Sequence, residues 1–249
     1  MAPTTLILGG SGKVARHLTR QLSSQGHTVY SLIRNPDQQS SIQSLGGTPI
    51  VQSLEDASTA DLTSTIKSTS ATTVVFSAGA GGGNPERTRK VDRDAAIRSM
   101  DVTAQAGVKR FIMVSAIDVR DREKPEPEWY DDADRDRSRK VWGAIGTYME
   151  SKLAADRSLV TENGRRGLDY TIVRPTGLSE EKGVGKVAAG KVHLSLVISR
   201  EDVAAVVVEC MKQEATIGMA IDCVGGETPI AEAVAEAAKN KLDAFEGRY

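Results

Sequence analysis

Residues 4–15 read TTLILGGSGKVA, and the fold turns on how this stretch is taken. Leu6, Ile7 and Leu8 form a short apolar β-run that breaks into glycine. Gly9, Gly12 and Ala15 stand three apart, a G-x-x-G-x-x-A spacing. Beyond Gly12 the apolar residues Val14, Ala15, Leu18 and Leu22 recur with the period of a helix. Strand, glycine turn and helix, in that order, frame a dinucleotide phosphate loop. Gly9 allows a turn that a β-carbon would hinder, Gly12 lets a pyrophosphate approach the backbone, and Ala15 lets the helix lie close to its strand. Free N–H groups and the positive dipole end of the helix then face the phosphates.

Outward from this loop, strands and helices alternate. Thr28–Ile33 reads as the second strand, residues 49–52 as a short third and residues 73–77 (TVVFS) as a buried fourth. Helices are expected over 60–67 and 92–106, the latter with Ala96, Ile97, Met100 and Ala104 on one face and Gly107 as its stop. Arg110–Val114 is the fifth strand, residues 148–160 a helix, and residues 170–173 the sixth strand, ended by Arg174 and Pro175. Residues 191–198 read as a strand and 219–224 as the last one. Ser199 caps a helix over 200–211, with Asp202 at its third position, and Pro229 opens a final helix to about Leu242. This order predicts an α/β fold, a doubly wound parallel Rossmann sheet with helices on both faces.

Two segments break the rhythm. Residues 118–140 alternate Asp, Glu, Arg and Lys, carry Pro125 and Pro127, and read as a solvated loop. Trp129, Tyr130 and Trp142 lie in or beside it, so residues 118–147 are expected to act as a lid over something apolar. Residues 176–190 are rich in glycine and lysine. The expectation is one domain over 1–249, with 176–249 contributing a small C-terminal lobe on the substrate side.

Composition narrows the partners. Lys and Arg number 32 and Asp and Glu 33, a formal net charge of −1, which favours neither nucleic acid nor a membrane surface. No apolar run is long enough to span a bilayer, and no charged-then-apolar leader precedes the first strand. Cys210 and Cys223 lack metal-ligand spacing and read as buried thiols; no metal site is expected. The protein is expected to be cytoplasmic, a monomer or homodimer acting on a small molecule.

The end of the second strand speaks to the cofactor. NAD enzymes usually place an acid there for the ribose 2′-hydroxyl. Here the chain reads Ser31-Leu32-Ile33-Arg34-Asn35-Pro36, with no carboxylate before Asp37. Arg34 is placed to fork onto a 2′-phosphate, and Lys13 adds charge, so NADP(H) is preferred. For chemistry, Tyr148 and Lys152 form Y-x-x-x-K and share one helix face. A nearby ammonium lowers a phenol's pKa, so Tyr148 can pass a proton. Ser115 ends the fifth strand, at the sheet edge where ligands bind.

The pieces LGGSGKVA, VFSAGAGGG, KVDRDAAIRSMDVTAQAGVKRFIMVSAID, YMESKLAAD, LDYTIVRPTGL and ISREDVA, in this order over most of residues 4–205, resemble the atypical short-chain dehydrogenase/reductases of the NmrA-like, NAD(P)-binding group. The resemblance implies a pyrophosphate loop of Gly9, Gly10, Ser11, Gly12, Lys13 and Val14, with Arg34 at the adenosine phosphate. It puts Leu54 by the adenine, Ala78, Gly79 and Ala80 at the ribose edge, Lys152 on the nicotinamide ribose, and Pro175 and Thr176 near the carboxamide. Residue 53 is serine where relatives often carry an adenine-binding aspartate. The function expected is NADPH-dependent reduction of a carbonyl or conjugated double bond, with Tyr148, Lys152 and Ser115 catalytic. A non-enzymatic NADP(H) sensor and an NAD(P)-dependent epimerase or dehydratase are the alternatives.

Overall fold

The computed structural model describes residues 2–81, 83–194 and 197–249. Its strands are β1 (Thr4–Leu8), β2 (Thr28–Ile33), β3 (Thr48–Val51), β4 (Thr73–Phe76), β5 (Arg110–Val114), β6 (Asp169–Pro175), β7 (Leu178–Ser179), β8 (Lys186–Gly190), β9 (Ile198–Ser199), β10 (Met219–Gly225) and β11 (Thr228–Pro229). Its helices are α1 (Lys13–Ser24), α2 (Gln39–Gln43), α3 (Thr59–Thr69), α4 (Pro85–Thr88), α5 (Ala96–Gln105), α6 (Asp132–Thr161), α7 (Asn163–Arg166), α8 (Arg200–Lys212) and α9 (Ile230–Lys239). Nine strands form one sheet in the order β11-β8-β10-β6-β5-β4-β1-β2-β3. From β3 to β10 every pair is parallel; β8 runs antiparallel to β10 and β11. The sheet is the doubly wound α/β form that the alternation predicts.

The alternation of side chains along each strand explains the two cores. Leu6 and Leu8 join Phe76, Phe111, Met113 and Ile172 on one face, covered by Leu62, Ile66, Met100 and Leu159 of α3, α5 and α6. Ile7 joins Val29, Val75, Ile112 and Val173 on the other, under Leu18 of α1, Val203 of α8 and Val234 of α9. Each such side chain stabilises the fold by roughly 1.5–3 kcal/mol. Cys210 and Cys223 are both buried. Among the described residues no helix is long and apolar enough to cross a membrane.

Four expectations need correction. The charged stretch is loop only as far as Asp131, and residues 132–147 are the first half of α6. Asp131 and Asp134 make a reciprocal capping box, and the first turn holds Asp132 and Asp134, which suits the helix dipole. Apart from the buried Asp134, the charges from Asp132 to Lys140 are the outer face of a helix, with Arg135–Asp132 and Arg139–Asp136 one turn apart and Trp142 and Met149 turned inward. The helix expected over 92–106 begins earlier, as α4, and passes through a wide π-helical segment, Arg89–Ala95, before α5. The strand expected over 191–198 lies earlier, as β8; residues 195 and 196 fall outside the described residues. Pro229 is the N-cap of α9 rather than its first residue.

Candidate functional site

Strand order reverses between β1 and β4, and the crevice at their carboxyl ends is where such sheets take ligands. Gly9 has φ +83°, and a β-carbon on it would stand 2.5 Å from Ala78 Cα. A β-carbon on Gly10 would stand 2.5 Å from Ser31 Cβ, and the Gly10 amide donates to the Leu32 carbonyl at 2.8 Å. The loop is thus pressed against both β2 and the start of the β4 loop. Gly12 caps α1 with no side-chain hydrogen bond, and the first turn holds no acid. The opening amides of α1 lack intrahelical partners by geometry, so this bare terminus fits a pyrophosphate. Ser11 and Gly12 are half-buried, Val14 is buried and Lys13 is exposed.

Both cations expected to meet phosphate are paired within the protein. Lys13 Nζ lies 2.5 Å from Glu180 Oε1, and Arg34 Nη1 lies 2.6 Å from Glu55 Oε1. Leu54, expected beside the adenine, is 8% exposed and belongs to the core cluster of Leu62 and Ile66. Ala78 is half-buried and Gly79 exposed; Ala80 is buried. Pro175 is buried at the end of β6 and Thr176 follows it half-buried, its amide on the Cys223 carbonyl.

Tyr148, Lys152 and Asp156 share one face of α6, four residues apart, beyond a kink at Ile145. Lys152 is 4% exposed; its Nζ donates to the Val114 carbonyl at 3.2 Å and lies 3.2 Å from Asp92 Oδ1. The other Asp92 oxygen accepts the Ala80 amide at 3.0 Å. Asp92 therefore joins the lysine to the loop after β4, from inside the π-helical segment, a distortion common at functional sites. Burial opposes the Lys152 ammonium, but Tyr148, Asp92 and Asp156 outweigh it and hold its pKa above the ordinary value.

Tyr148 packs its ring 5.7 Å from Lys152 Nζ, and its hydroxyl has no hydrogen-bond partner among the described residues. The phenol's pKa is raised, not lowered. Desolvation dominates, Lys152 opposes it, and Asp92 and Asp156 add to it. Ser115 Oγ is already engaged, donating to Asp156 Oδ2 at 2.9 Å. Burial lifts Asp156 to about 6 against the pull of Arg174.

Sequence reasoning passed over Asp92, Asp156, Glu55 and the buried Arg174. Arg174 donates to the Ala116 and Val119 carbonyls and pairs with Asp222 at 3.0 Å, bracing the β5 loop from below. The Y-x-x-x-K-x-x-x-D spacing was the one available signal for Asp156.

A family model described as NAD(P)H-binding matches residues 9–214. The chain belongs to this NAD(P)H-binding family, of the NmrA-like, atypical short-chain dehydrogenase/reductase kind. A UPF0659 protein of Schizosaccharomyces pombe is 41% identical over 231 residues, 92% of this chain and 93% of its own length. An uncharacterised sugar epimerase of Bacillus subtilis, YhfK, is 33% identical over 92% of this chain and 97% of its own. Among solved structures, a Bacillus halodurans protein provisionally named an NAD-dependent epimerase/dehydratase superposes with a TM-score of 0.77 at 31% identity, covering 94% of this chain and all of that one.

Proposed function

We propose that this protein is an NADPH-dependent reductase of a carbonyl or conjugated double bond in a small, partly apolar molecule. The observation that carries this reading is the Tyr148–Lys152 pair, with the lysine locked between Asp92 and the end of β5 while the phenol stays unpartnered. When bound, a reduced nicotinamide supplies the hydride. The glycine loop, the bare α1 terminus and Arg34 hold the phosphates, and Lys152 anchors the ribose and polarises Tyr148. A phenol kept protonated by burial is suited to donate, and Tyr148 gives its proton to the substrate atom that gains negative charge. With a proton on Asp156, Ser115 accepts from that acid and turns its own O–H toward the substrate oxygen.

The names of the relatives favour a second reading, epimerisation or dehydration of a sugar with the cofactor regenerated in each turnover. The raised pKa of the Tyr148 phenol favours giving a proton, as reduction needs, over removing one from a sugar hydroxyl. One experiment separates the two: NADPH consumption is followed with quinones, aromatic ketones and enones, and nucleotide sugars are followed by NMR with no net cofactor change. The reductase reading expects NADPH loss that falls about 10²–10⁴-fold in Tyr148→Phe. Sugar conversion at constant NADPH would replace it.

A further inference from the structure

Arg34 and Arg87 come from different elements, the end of β2 and the short helix α4, yet both reach one oxygen. Nη1 of Arg34 lies 2.6 Å from Glu55 Oε1 and Nη2 of Arg87 lies 3.0 Å from the same atom. Arg87 also donates to the Ala80 carbonyl, which fixes it to the loop after β4. Glu55 itself follows β3. These three loops border the adenosine half of a dinucleotide in this strand order. The neighbouring carboxylate, Asp56, pairs with Lys90 and Ser53 instead, so Glu55 alone fills the fork among the described residues. The glutamate side chain is 14% exposed and that of Arg34 is 59% exposed, so the arginine is the partner able to swing. Two guanidiniums converging on one anionic oxygen is the arrangement a phosphate oxygen takes.

We propose that Glu55 is an internal stand-in for the 2′-phosphate: its carboxylate occupies the Arg34–Arg87 fork in the free protein, and NADP(H) binds by taking the fork from it. This rests on reading Arg34 as the NADP-selecting residue. The carboxyl of Glu55 is held below the usual range, chiefly by its hydrogen bond from Arg87, so it competes as an anion throughout the neutral range. A ribose without the 2′-phosphate makes no claim on the fork and meets no competition. Glu55 therefore sets the NADPH affinity below what two free arginines would give and keeps the cofactor exchangeable.

Calorimetric titration of the parent, Glu55→Gln and Arg34→Ala with NADPH and with NADH tests this. Glutamine keeps the size and removes the charge, so NADPH should bind about five- to tenfold tighter, the worth of removing one like charge at close range. NADH should be unchanged, and Arg34→Ala should lose NADPH selectively. If Glu55→Gln binds NADPH no better, or worse, while Arg34→Ala still loses it, the stand-in is overturned and the NADP reading survives. If Arg34→Ala shows no selective loss, the NADP reading falls and takes the stand-in with it.

Discussion

Lys152 and Arg34 are both cations set against carboxylates, but burial makes the two pairs different things. Lys152 and Asp92 are 4% and 1% exposed, so the pair fixes geometry and removing one partner strands the other. Arg34 is largely exposed, so its pair with Glu55 holds weakly and can exchange. Loss of a charge-assisted fork costs about 1.5–3 kcal/mol, so Arg34→Ala should weaken NADPH about tenfold or more in calorimetry, with NADH little changed. Equal losses for both cofactors would remove Arg34 from the 2′-phosphate. Gly9 offers a cleaner residue-scale comparison. Gly9 and Gly26 share a positive φ, +83° and +84°, but a β-carbon at Gly26 meets nothing within 4 Å. Gly26→Ala should cost about 1 kcal/mol in urea unfolding and Gly9→Ala clearly more, because there Ala78 must also move.

Asp156 supplies a pH dependence of known sign. Its folded pKa, about 6, lies above the ordinary carboxylate value. The folded protein thus keeps a proton there that the unfolded chain has already lost near pH 4. The stability this group contributes is fully present below that ordinary value and is lost as pH rises through about 6. Asp156→Asn has no such proton to lose. Its stability relative to the parent should rise by something on the order of 1–3 kcal/mol between about pH 4 and pH 7 in urea titrations. A flat difference would show that Asp156 is not held protonated.

At the scale of elements, the segment before α6 carries the most weight. Its aromatic residues are not stranded on a loop. Tyr130 donates to Asp118 Oδ1, Trp142 donates to the same carboxylate, and Arg120 pairs with it at 3.0 Å, all four residues buried. Trp129 is half-buried, its indole N–H on the Val192 carbonyl, and His193 meets Asp134 at 2.5 Å. Residues 122–126 are exposed. Hydrogen exchange should therefore find strong protection around Tyr130 and Trp142 without ligand, and NADPH should slow exchange only toward the exposed tip. Uniform fast exchange over 118–131 in the free protein would restore a fully mobile lid. Within this region His193 is raised above its usual value, first by its hydrogen bond to Asp134, so the tether is intact at low pH and loosens as pH rises through the folded value. The Leu194 amide, held by Asp134 Oδ1 at 2.7 Å, is its reporter.

What was legible along the chain follows from how local each signal is. Thr28–Ile33 and Arg110–Val114 are legible to the residue because each is a short β-prone stretch, mostly apolar, set between polar neighbours, His27 and Arg34 or Lys109 and Ser115. The start of α6 was not, because a capping box and an exposed helical face share their composition with a solvated loop. Asp92 could not be singled out, since its meaning lies in Lys152, sixty positions on and on another element. Glu55 escaped for the same reason, its partners Arg34 and Arg87 being brought to it only by the sheet.

For the molecule as a whole, the proposed site joins the bare terminus of α1, the Arg34–Glu55–Arg87 fork, the buried Asp92–Lys152 pair and the unpartnered phenol of Tyr148 at the crevice where the strand order reverses. This crevice is proposed as an NADP(H) site. Titrating the unaltered protein with NADPH and with NADH, by the fluorescence of the reduced nicotinamide, tests it most directly. Saturable binding of one NADPH per chain is expected, about tenfold tighter than NADH. Binding of neither cofactor, or of NADH as tightly as NADPH, would contradict it.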